Sequence, residues 1–392
     1  MSRVYLDNNA TTPVLPEVLE AMRPYFGDHF GNASSIHHHG QETRAAVECA
    51  RESVAALVGC RASELVFTSG GTEADNLAIF GLARPGDHVI TSTVEHHAVL
   101  NACKHLASKG CDVTYISVDG RGRLDPADVR RAIRPHTKLI TIMLANNETG
   151  VVEPAAEIGK IAAQADIYFH TDAVQAAGKI PIDVNQIECD LLTISGHKLH
   201  GPQGVGALYV RKGTQIEPML YGGSHERSRR AGTENVPGIV GLGKAAELAR
   251  AGLERGDDLK MATERDRLER ELLEIEATGL NGEGAPRLPN TTNIYFDGIE
   301  GEALVIALDL KGLAVSTGAA CSSGAIEPSH VLTAMGLRPD RAKASIRFSL
   351  GKQNTPEDVD FALGLIPETV ARLRELSPVW AGAGVVSRKL AT

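Results

Sequence analysis

The stretch from Leu191 to Pro202, LLTISGHKLHGP, places Lys198 directly after an apolar run that is typical of a buried strand. Upstream, the run HTDAVQ (170–175) ends another such strand with Asp172, and Gln175 follows one turn later. A lysine and a carboxylate at two strand ends suit pyridoxal phosphate. The lysine can hold the aldehyde as a Schiff base, and the carboxylate keeps the pyridine nitrogen protonated. The alternative for an isolated His-Lys pair is an exposed lysine in a loop, and the neighbouring motifs favour the first interpretation.

Length and composition set the broad class of the protein. A chain of 392 residues with 43% hydrophobic residues exceeds the size at which one core keeps growing, so we expect two domains. We place a large cofactor-binding domain at residues 1–257 and a smaller α+β domain at residues 258–392, with a strand at residues 4–6 that joins one of the two. The formal net charge of −9 and the absence of a long basic block argue against nucleic acid as a partner.

Neither a membrane-spanning segment nor an export signal is visible in the sequence. No apolar run reaches the length of a membrane helix, about 18 residues, and the start, MSRVYLDNN, lacks an apolar core. We therefore expect a cytoplasmic protein without a membrane partner. The six cysteines form no Cys-x-x-Cys pair, which disfavours zinc ribbons and disulfide frameworks. Adjacent histidines such as those at 37–39 rarely converge on one ion, so we expect no metal site.

Short apolar runs alternate with longer helical patterns from about residue 65 to 210, which predicts an α/β fold with a mostly parallel, seven-stranded sheet. In such sheets, ligands collect beyond the carboxyl ends of the strands. Downstream, opposite charges at helical spacing predict one helix at Leu259–Ala277, followed by strands at Thr292–Phe296 and Ala344–Ser349. The seven predicted strands of the large domain are Leu65–Thr68, His88–Ser92, Val113–Val118, Leu139–Leu144, Ile167–Thr171, Leu191–Ser195 and Ala207–Val210.

The segment after the first of these strands, SGGTEAD (69–75), opens a helix with glycines. We interpret Thr72 and Asp75 as a capping box. Free backbone N–H groups at a helix start, together with the helix dipole, form an anion site, so we expect Gly71 and Thr72 to bind the cofactor phosphate. On this pattern alone, an ordinary helix cap without a ligand is the alternative. Two further candidate donors for the same phosphate are Ser195 and His197.

Three further strand ends carry polar side chains. His96 follows the second strand, where an imidazole can stack on the pyridine ring and move protons; a partly buried structural histidine is an equal alternative. Asn147 follows the fourth strand and can hydrogen-bond the ring hydroxyl, although an ordinary Asx turn explains it as well. Asp172 is costly to desolvate unless a cation such as the pyridinium nitrogen meets it, and Gln175 lies within reach of the ring oxygen.

In the C-terminal part, the run VSTGAACSSG (315–324) surrounds Cys321 with small residues that bend easily. Such a segment can carry a nucleophilic thiol, whereas the alternative is a small buried cysteine in a turn. Arg347 lies in a predicted strand, where its forked donors suit either an amino acid carboxylate or a structural ion pair. Asn32, in GNASS (31–35), is a candidate to assist in substrate binding.

Taken together, these residues resemble the NifS/IscS-type cysteine desulfurases, which are fold type I pyridoxal phosphate enzymes of the class V aminotransferase family. The likeness runs over nearly the whole chain. It rests on the ordered motifs YLDNNATTP (5–13), TSGGTE (68–73), EH (95–96), ANNETG (145–150), SGHK (195–198), RRAGTEN (229–235), STGAACSS (316–323) and SIRFSLG (345–351). Ala33, Gln203 and the short stretch 82–87 depart from the family pattern without touching the expected chemistry.

The resemblance implies a homodimer whose active sites lie at the subunit interface, where Thr233 would reach the phosphate of the partner's cofactor. It implies conversion of L-cysteine to L-alanine, with the sulfur left as a persulfide on Cys321 and passed to an iron–sulfur scaffold or another acceptor protein. Lys198 would hold the cofactor and then shuttle the proton of the substrate α-carbon, while His96 would assist proton transfers. The stretch SPVWAG (377–382) looks closer to the nitrogenase-associated NifS type.

Other functions stay open on the sequence alone. A selenocysteine lyase or an aminotransferase would share the fold, but an aminotransferase does not need Cys321. A non-catalytic sulfur-relay or scaffold protein would also keep the fold, although the presence of both Lys198 and Asp172 speaks against it.

Overall fold

The structure, a computed structural model, describes residues 3–318, 328–378 and 380. Within these residues, none of the helices combines the length and the apolar character that a membrane crossing requires. The strands, in chain order, are β1 Val4–Tyr5, β2 Leu65–Thr68, β3 His88–Ser92, β4 Asp112–Ile116, β5 Thr137–Thr141, β6 Tyr168–Asp172, β7 Leu191–Ser195, β8 Gly206–Val210, β9 Thr278–Leu280, β10 Thr291–Phe296, β11 Leu313–Ala314 and β12 Ser345–Ser349. The α-helices are α1 Pro16–Met22, α2 His38–Val58, α3 Gly71–Leu82, α4 His97–Ser108, α5 Pro126–Ala132, α6 Ala155–Gln164, α7 Val184–Ile187, α8 Val236–Glu254, α9 Asp257–Leu272, α10 Gly301–Leu310, α11 His330–Ala334, α12 Pro339–Lys343 and α13 Pro356–Leu376.

The large sheet has seven strands in the order β2-β8-β7-β6-β5-β3-β4. Strands β3 to β7 pair in parallel, whereas β8 runs antiparallel to both of its neighbours, β2 and β7. Successive residues of a strand enter different cores: Val89 packs in one hydrophobic cluster and Ile90 in another. The sheet is therefore buried on both faces, as parallel sheets are. The predicted α/β fold with a mostly parallel sheet is confirmed.

The strand ends matter most because they position the polar residues. Strands β2, β3 and β7 begin and end where the sequence predicts. The largest difference is at β5, which ends at Thr141 rather than Leu144. Beyond it, the N–H groups of Ile142 and Leu144 still bond to the carbonyls of His170 and Asp172. The chain therefore continues beside β6 up to the level of Asp172.

The C-terminal part builds a second hydrophobic core around the antiparallel sheet β12-β10-β9. Helices α9, α10 and α13 contribute Leu268, Leu304 and Ile366 to this core. Strand β1 pairs in parallel with β11, and Val4 and Leu6 are buried in the same core. The beginning of the chain thus packs with its last third. Helix α9 begins next to the predicted boundary at residue 258, and the division into two domains stays a prediction.

The charged helix predicted at Leu259–Ala277 is α9, which ends earlier, at Leu272. The prediction is wrong for the last five residues because Thr278 begins β9, whose antiparallel pairing with β10 forces the chain to turn first. The hydroxyl of Thr278 donates to the Ile275 carbonyl at 2.8 Å, and Ala277 takes a left-handed φ of 53°. Charge spacing alone does not reveal this turn.

A buried ion pair ties α2 to the large sheet. Arg51 donates from both terminal nitrogens to the carboxylate of Glu226, each at 2.8 Å, and the N–H of Phe67 donates to the same carboxylate at 2.9 Å. Both charged side chains are 4% exposed. Glu226 and the two residues after it have left-handed backbone angles, so the pair also holds a strained turn in place.

Replacing Arg51 with methionine should lower the free energy of unfolding by about 3 kcal/mol, because it leaves the Glu226 carboxylate buried without its cation. Arg250→Met is the matched control, since Arg250 pairs with Glu254 on an exposed helix surface, and it should cost less than about 1 kcal/mol. Urea unfolding measures both. Equal losses in the two variants would contradict the structural role of the buried pair.

Candidate active site

A cavity of about 270 Å³ lies at the carboxyl ends of the parallel strands. Its wall combines the ends of β6 and β7, the start of α3, and Asn9 and Ala10 from the N-terminal segment. The structure brings most of the predicted site residues to this one cavity. Those that line it are Gly71, Thr72, His96, Asn147, Asp172, Gln175, Ser195, His197, Lys198 and Arg347.

Three predicted residues are not placed at this cavity. Asn32 and Thr233 are exposed in the single chain and do not line it. Cys321 falls outside the described residues, so its role stays a prediction, but Gly318, three residues before it, lines the cavity. Across the described ranges, no group of three histidine, cysteine or acidic side chains gathers as a metal site requires.

The start of α3 forms a cradle that suits a phosphate. Within the described residues, the backbone N–H groups of Gly71 and Thr72 bond to no acceptor, as is usual for the first turn of a helix. A Cβ at position 71 would lie 2.9 Å from Val174 and 3.5 Å from the Cβ of Ser195. Only glycine therefore allows this close approach. His197 lines the same cavity, and burial lowers its pKa to about 4.

The predicted capping box of Thr72 and Asp75 is wrong. Helix α3 already begins at Gly71, so Thr72 is its second residue, and no side chain caps the helix. Asp75 is 1% exposed, and its Oδ1 lies 3.6 Å from Nε2 of His170, with no hydrogen-bond partner in the described part of the chain. Burial, together with the nearby Asp172, raises the pKa of Asp75 well above its usual range. Its environment thus favours the protonated form of Asp75 at the cavity wall.

Lys198 reaches the cavity from the turn after β7. Its Nζ donates to the carbonyl oxygens of Asn9 at 2.5 Å and of Ala10 at 2.6 Å. These bonds hold the amine against the N-terminal segment, at the edge of the cavity. The end of β7 and residues 9–10 together fix where this amine can react.

Asp172 ends β6 and is buried. Its Oδ1 accepts the N–H of Val174 at 2.8 Å. Burial raises the pKa of Asp172 to about 6, while this hydrogen bond and the charge of Lys198 oppose the rise. A cation in the cavity would shift the same group further toward its ionised form, since an opposite charge favours the carboxylate.

His96 caps the N-terminus of α4 and faces the cavity. Its Nδ1 accepts the N–H of Ala98 at 3.2 Å, so the neutral ring carries its proton on Nε2. Burial lowers the pKa of His96 to about 4, and the charge of Lys198 adds to the effect. The imidazole is therefore neutral at physiological pH, which suits stacking on a flat ring.

Arg347 lies in β12 and is both paired and incompletely satisfied. It donates to Oδ1 of Asp7 at 2.7 Å and to the carbonyl of Asn147 at 3.0 Å, so the structural ion pair weighed from the sequence is present. Its Nε is buried without a hydrogen-bond partner among the described residues. A substrate carboxylate would supply the missing acceptor.

The Asx turn considered for Asn147 belongs to its neighbour. Oδ1 of Asn146 accepts the N–H groups of Glu148 and Thr149 at 2.8 and 3.0 Å. The side chain of Asn147 is not used by this turn and lines the cavity instead.

Comparison with known proteins identifies the family of this chain. Residues 4–361 match the class-V aminotransferase family. Cysteine desulfurase IscS of Methanosarcina thermophila is 53% identical over 96% of this chain and 94% of its own, and a cysteine desulfurase of Trichormus azollae is 54% identical over 96% and 95%. The chain belongs to the cysteine desulfurases of the class-V aminotransferase family. Among solved structures, a NifS-like protein aligns with a TM-score of 0.87 at 38% identity, covering 95% of this chain and all of that one.

Four polar residues near the cavity of this desulfurase were not predicted from the sequence as site residues: Asn9, Asp75, Glu95 and Lys179. Asn9 and Glu95 stand in motifs that carry the family likeness, which was the available signal. Lys179 lies four residues after Gln175, outside the motifs that carry the family likeness.

Glu95, which precedes His96 in the chain, is a fully buried carboxyl group. Its Oε1 accepts the hydroxyl of Ser92 at 2.6 Å and the N–H of Met143 at 3.0 Å, and its Oε2 has no partner among the described residues. Burial raises the pKa of Glu95 to about 8. At neutral pH the group is therefore mostly protonated.

The titration of Glu95 predicts a pH-dependent stability. Between the ordinary value of 4.5 and about 8, the folded desulfurase keeps a proton that the unfolded chain has lost. The stabilisation that the protonated Glu95 gives to the folded state is thus fully present below pH 4.5, and it is lost as the pH rises through about 8. Glu95→Gln has no such proton to lose, so its stability does not fall in this way. The free energy of unfolding of the variant, relative to that of the wild type, should therefore increase by about 1 kcal/mol per pH unit between pH 5 and 8.

Urea unfolding at several pH values measures this difference. Glu254→Gln, at an exposed position, should show a constant difference from the wild type over the same range. A constant difference for Glu95→Gln as well would mean that Glu95 is ionised throughout.

Proposed function

We propose that this cysteine desulfurase uses pyridoxal phosphate to convert L-cysteine to L-alanine, with Cys321 receiving the sulfur as a persulfide. An iron–sulfur scaffold or another acceptor protein in the cytoplasm then takes the sulfur, and a nitrogenase-dedicated role follows the NifS likeness. The observation that carries the proposal is that the amine of Lys198 and the buried carboxyl group of Asp172 lie at the wall of one cavity. The names of the relatives, cysteine desulfurases, support the reaction.

The residues at the cavity fit this cofactor. The cradle at Gly71 and Thr72 would hold the phosphate at the start of α3, and the ring nitrogen would meet Asp172. His96 would stack on the ring, and Lys198 would bind the aldehyde. When bound, pyridoxal phosphate supplies an electron sink for the substrate α-carbon. The remaining cofactor donors are Asn147, Gln175, Ser195, His197 and Thr233 of the partner subunit.

The protein's own groups divide the remaining work. Arg347, with Asn147 and Asn32, would bind the carboxylate of L-cysteine, which satisfies the open Nε of the arginine. Lys198 would take the proton from the substrate α-carbon, since its amine is fixed at the cavity wall. General acid–base assistance of this kind is worth roughly 10²- to 10⁴-fold in rate.

Cys321 would complete the transfer of sulfur. Its thiolate attacks the substrate sulfur, and the carbon–sulfur bond breaks. The electron pair of that bond passes to the substrate β-carbon, which gains a proton and becomes the methyl group of alanine. Cys321 is the third residue after Gly318, which lines the cavity, and three residues of chain span at most about 11 Å.

Mass spectrometry after incubation with L-cysteine tests this function. The peptide that contains Cys321 should gain one sulfur atom, and alanine should accumulate. Lys198→Ala should abolish both signals because it removes the tether and the base, a loss well beyond about 10⁴-fold. For the variant Cys321→Ser, the matched control is Cys49→Ser, since Cys49 is exposed and does not line the cavity.

The result that would contradict the proposal is equally specific. A Cys321→Ser protein that releases sulfur from L-cysteine as fast as the wild type would remove the persulfide step. Full activity in Lys198→Ala would remove the cofactor lysine.

A homodimer would explain the two predicted residues that lie outside the cavity. Asn32 and Thr233 are exposed, and their segments meet at a second pocket lined by Ala33 and Glu234. Large exposed apolar side chains flank both segments, which supports an interface there. These side chains are Phe26, Phe30 and Ile36 near the first segment, and Leu220 and Tyr221 near the second.

Mixing two variants with complementary defects tests the shared site. Lys198→Ala lacks the lysine but keeps Thr233, whereas a chain with Thr233→Val keeps the lysine and should lose about tenfold in cofactor affinity, the worth of one charge-assisted hydrogen bond. Co-refolded mixtures should recover cofactor affinity at the site that combines Lys198 of one chain with Thr233 of the other. Absence of recovery in a verified heterodimer would place Thr233 outside the site.

A further inference from the structure

The side-chain amide of Gln175 is held at both of its polar atoms. Nε2 donates to the carbonyl of Asn9 at 3.0 Å, and Oε1 accepts from Nζ of Lys179 at 2.9 Å. Gln175 is buried and lines the cavity. The same Asn9 carbonyl accepts the amine of Lys198 at 2.5 Å. One backbone oxygen therefore joins this amide to the lysine that reacts with the cofactor.

The buried amine of Lys179 is an energetically unfavourable partner for the neutral amide of Gln175. Its amine is enclosed by protein, although part of the residue reaches the surface. The hydrogen-bond acceptors that the described residues offer it are two amide oxygens, Oε1 of Gln175 and Oδ1 of Asn9 at 3.3 Å. Burial lowers the pKa of Lys179 well below its ordinary range, and the charges of Lys198 and Arg347 lower it further. A buried amine of this kind costs stability.

Both neighbours impose the same orientation on the amide of Gln175. Nζ of Lys179 donates its hydrogen bond to the amide, so the atom that faces Lys179 is Oε1. A backbone carbonyl only accepts, so the atom that faces Asn9 is Nε2. The amino group has two N–H donors, and Asn9 takes one of them. In the part of the chain that the structure describes, the second N–H meets no acceptor.

We propose that Lys179 is a positioning residue that locks the amide of Gln175 so that its second N–H faces the ring oxygen of the bound cofactor. The inference rests on the proposed function, in which Gln175 meets that oxygen. Without Lys179, the carbonyl of Asn9 alone opposes a half-turn of the amide, which would exchange Oε1 and Nε2 and turn an acceptor toward the ring oxygen. The cost of keeping Lys179 inside the protein is thereby linked to cofactor recognition.

Cofactor binding by the full-length apoprotein tests the proposal without any turnover. Pyridoxal phosphate and its analogue that lacks the ring hydroxyl are titrated into the wild type, Lys179→Met, Gln175→Leu and Lys311→Met. Lys311 is the matched lysine control, because its Nζ donates to Thr369 and it does not line the cavity. The readout is the ratio of the two dissociation constants in each protein.

The wild type should bind the analogue about tenfold more weakly than pyridoxal phosphate, the worth of one hydrogen bond to the ring oxygen. In Gln175→Leu the ratio should fall well below about tenfold, since the donor that Gln175 supplies to the ring oxygen is gone. Lys179→Met should lower the ratio to below about threefold, and Lys311→Met should keep the wild-type ratio. A purely structural Lys179 would weaken binding of both compounds equally and leave the ratio unchanged.

The positioning role of Lys179 is overturned if the ratio stays at about tenfold in Lys179→Met but falls in Gln175→Leu. If Lys179→Met does not fold, Lys179→Gln replaces it, because a glutamine can donate or accept and imposes no orientation on Gln175. A wild-type ratio in that variant overturns the role as well. Failure of the wild type to bind pyridoxal phosphate at all would instead remove the proposed function.

Discussion

The hydrogen bonds of Asn9 join the two parts of the chain that form the cavity. Its carbonyl accepts the amine of Lys198 and the amide of Gln175, both of which follow strands of the large sheet. Its side chain donates to the hydroxyl of Thr291 at 2.9 Å, in β10 of the C-terminal core. Because one residue bonds to both parts, a shift of either part against the other breaks hydrogen bonds at Lys198.

The ionisable groups around the cavity are sorted by the element that supplies them. Carboxyl groups come from β6 and α3, at Asp172 and Asp75, whereas cations come from the turn after β7 and from β12, at Lys198 and Arg347. A cofactor with an anionic phosphate and a cationic ring, and a substrate that is a zwitterion, both need such a separated arrangement. In a poorly solvated cavity these charges act more strongly than they would in water.

The strand ends could be predicted from the sequence because an apolar run followed by a polar residue is a local signal. Lys198, Asp172 and His96 were located in this way, and the structure brings all three to one cavity. Asp75 could not be recognised as part of the site, because it lies inside a helix and its burial depends on how α3 packs on the sheet. The same pattern gave the wrong cap for α3, since two consecutive glycines allow more than one helix start.

Two predicted residues do not line the cavity of the single chain, which is a different limit. Thr233 was assigned through the family resemblance, whereas Asn32 was a candidate within the run GNASS (31–35). A single chain leaves them exposed. For Lys179 the limit is tertiary, because its amine donates to the side-chain Oδ1 of Asn9, a residue that is remote in sequence.

The pairing of β1 with β11 has a consequence for protein synthesis. At roughly 5–20 residues per second, a ribosome needs about 20 to 70 s to move from Val4 to Ser349. During that time the first strand has emerged but its core has not, whereas the large sheet is already complete. A nascent chain therefore leaves Val4 and Leu6 without their core until β12 arrives, near the end of translation.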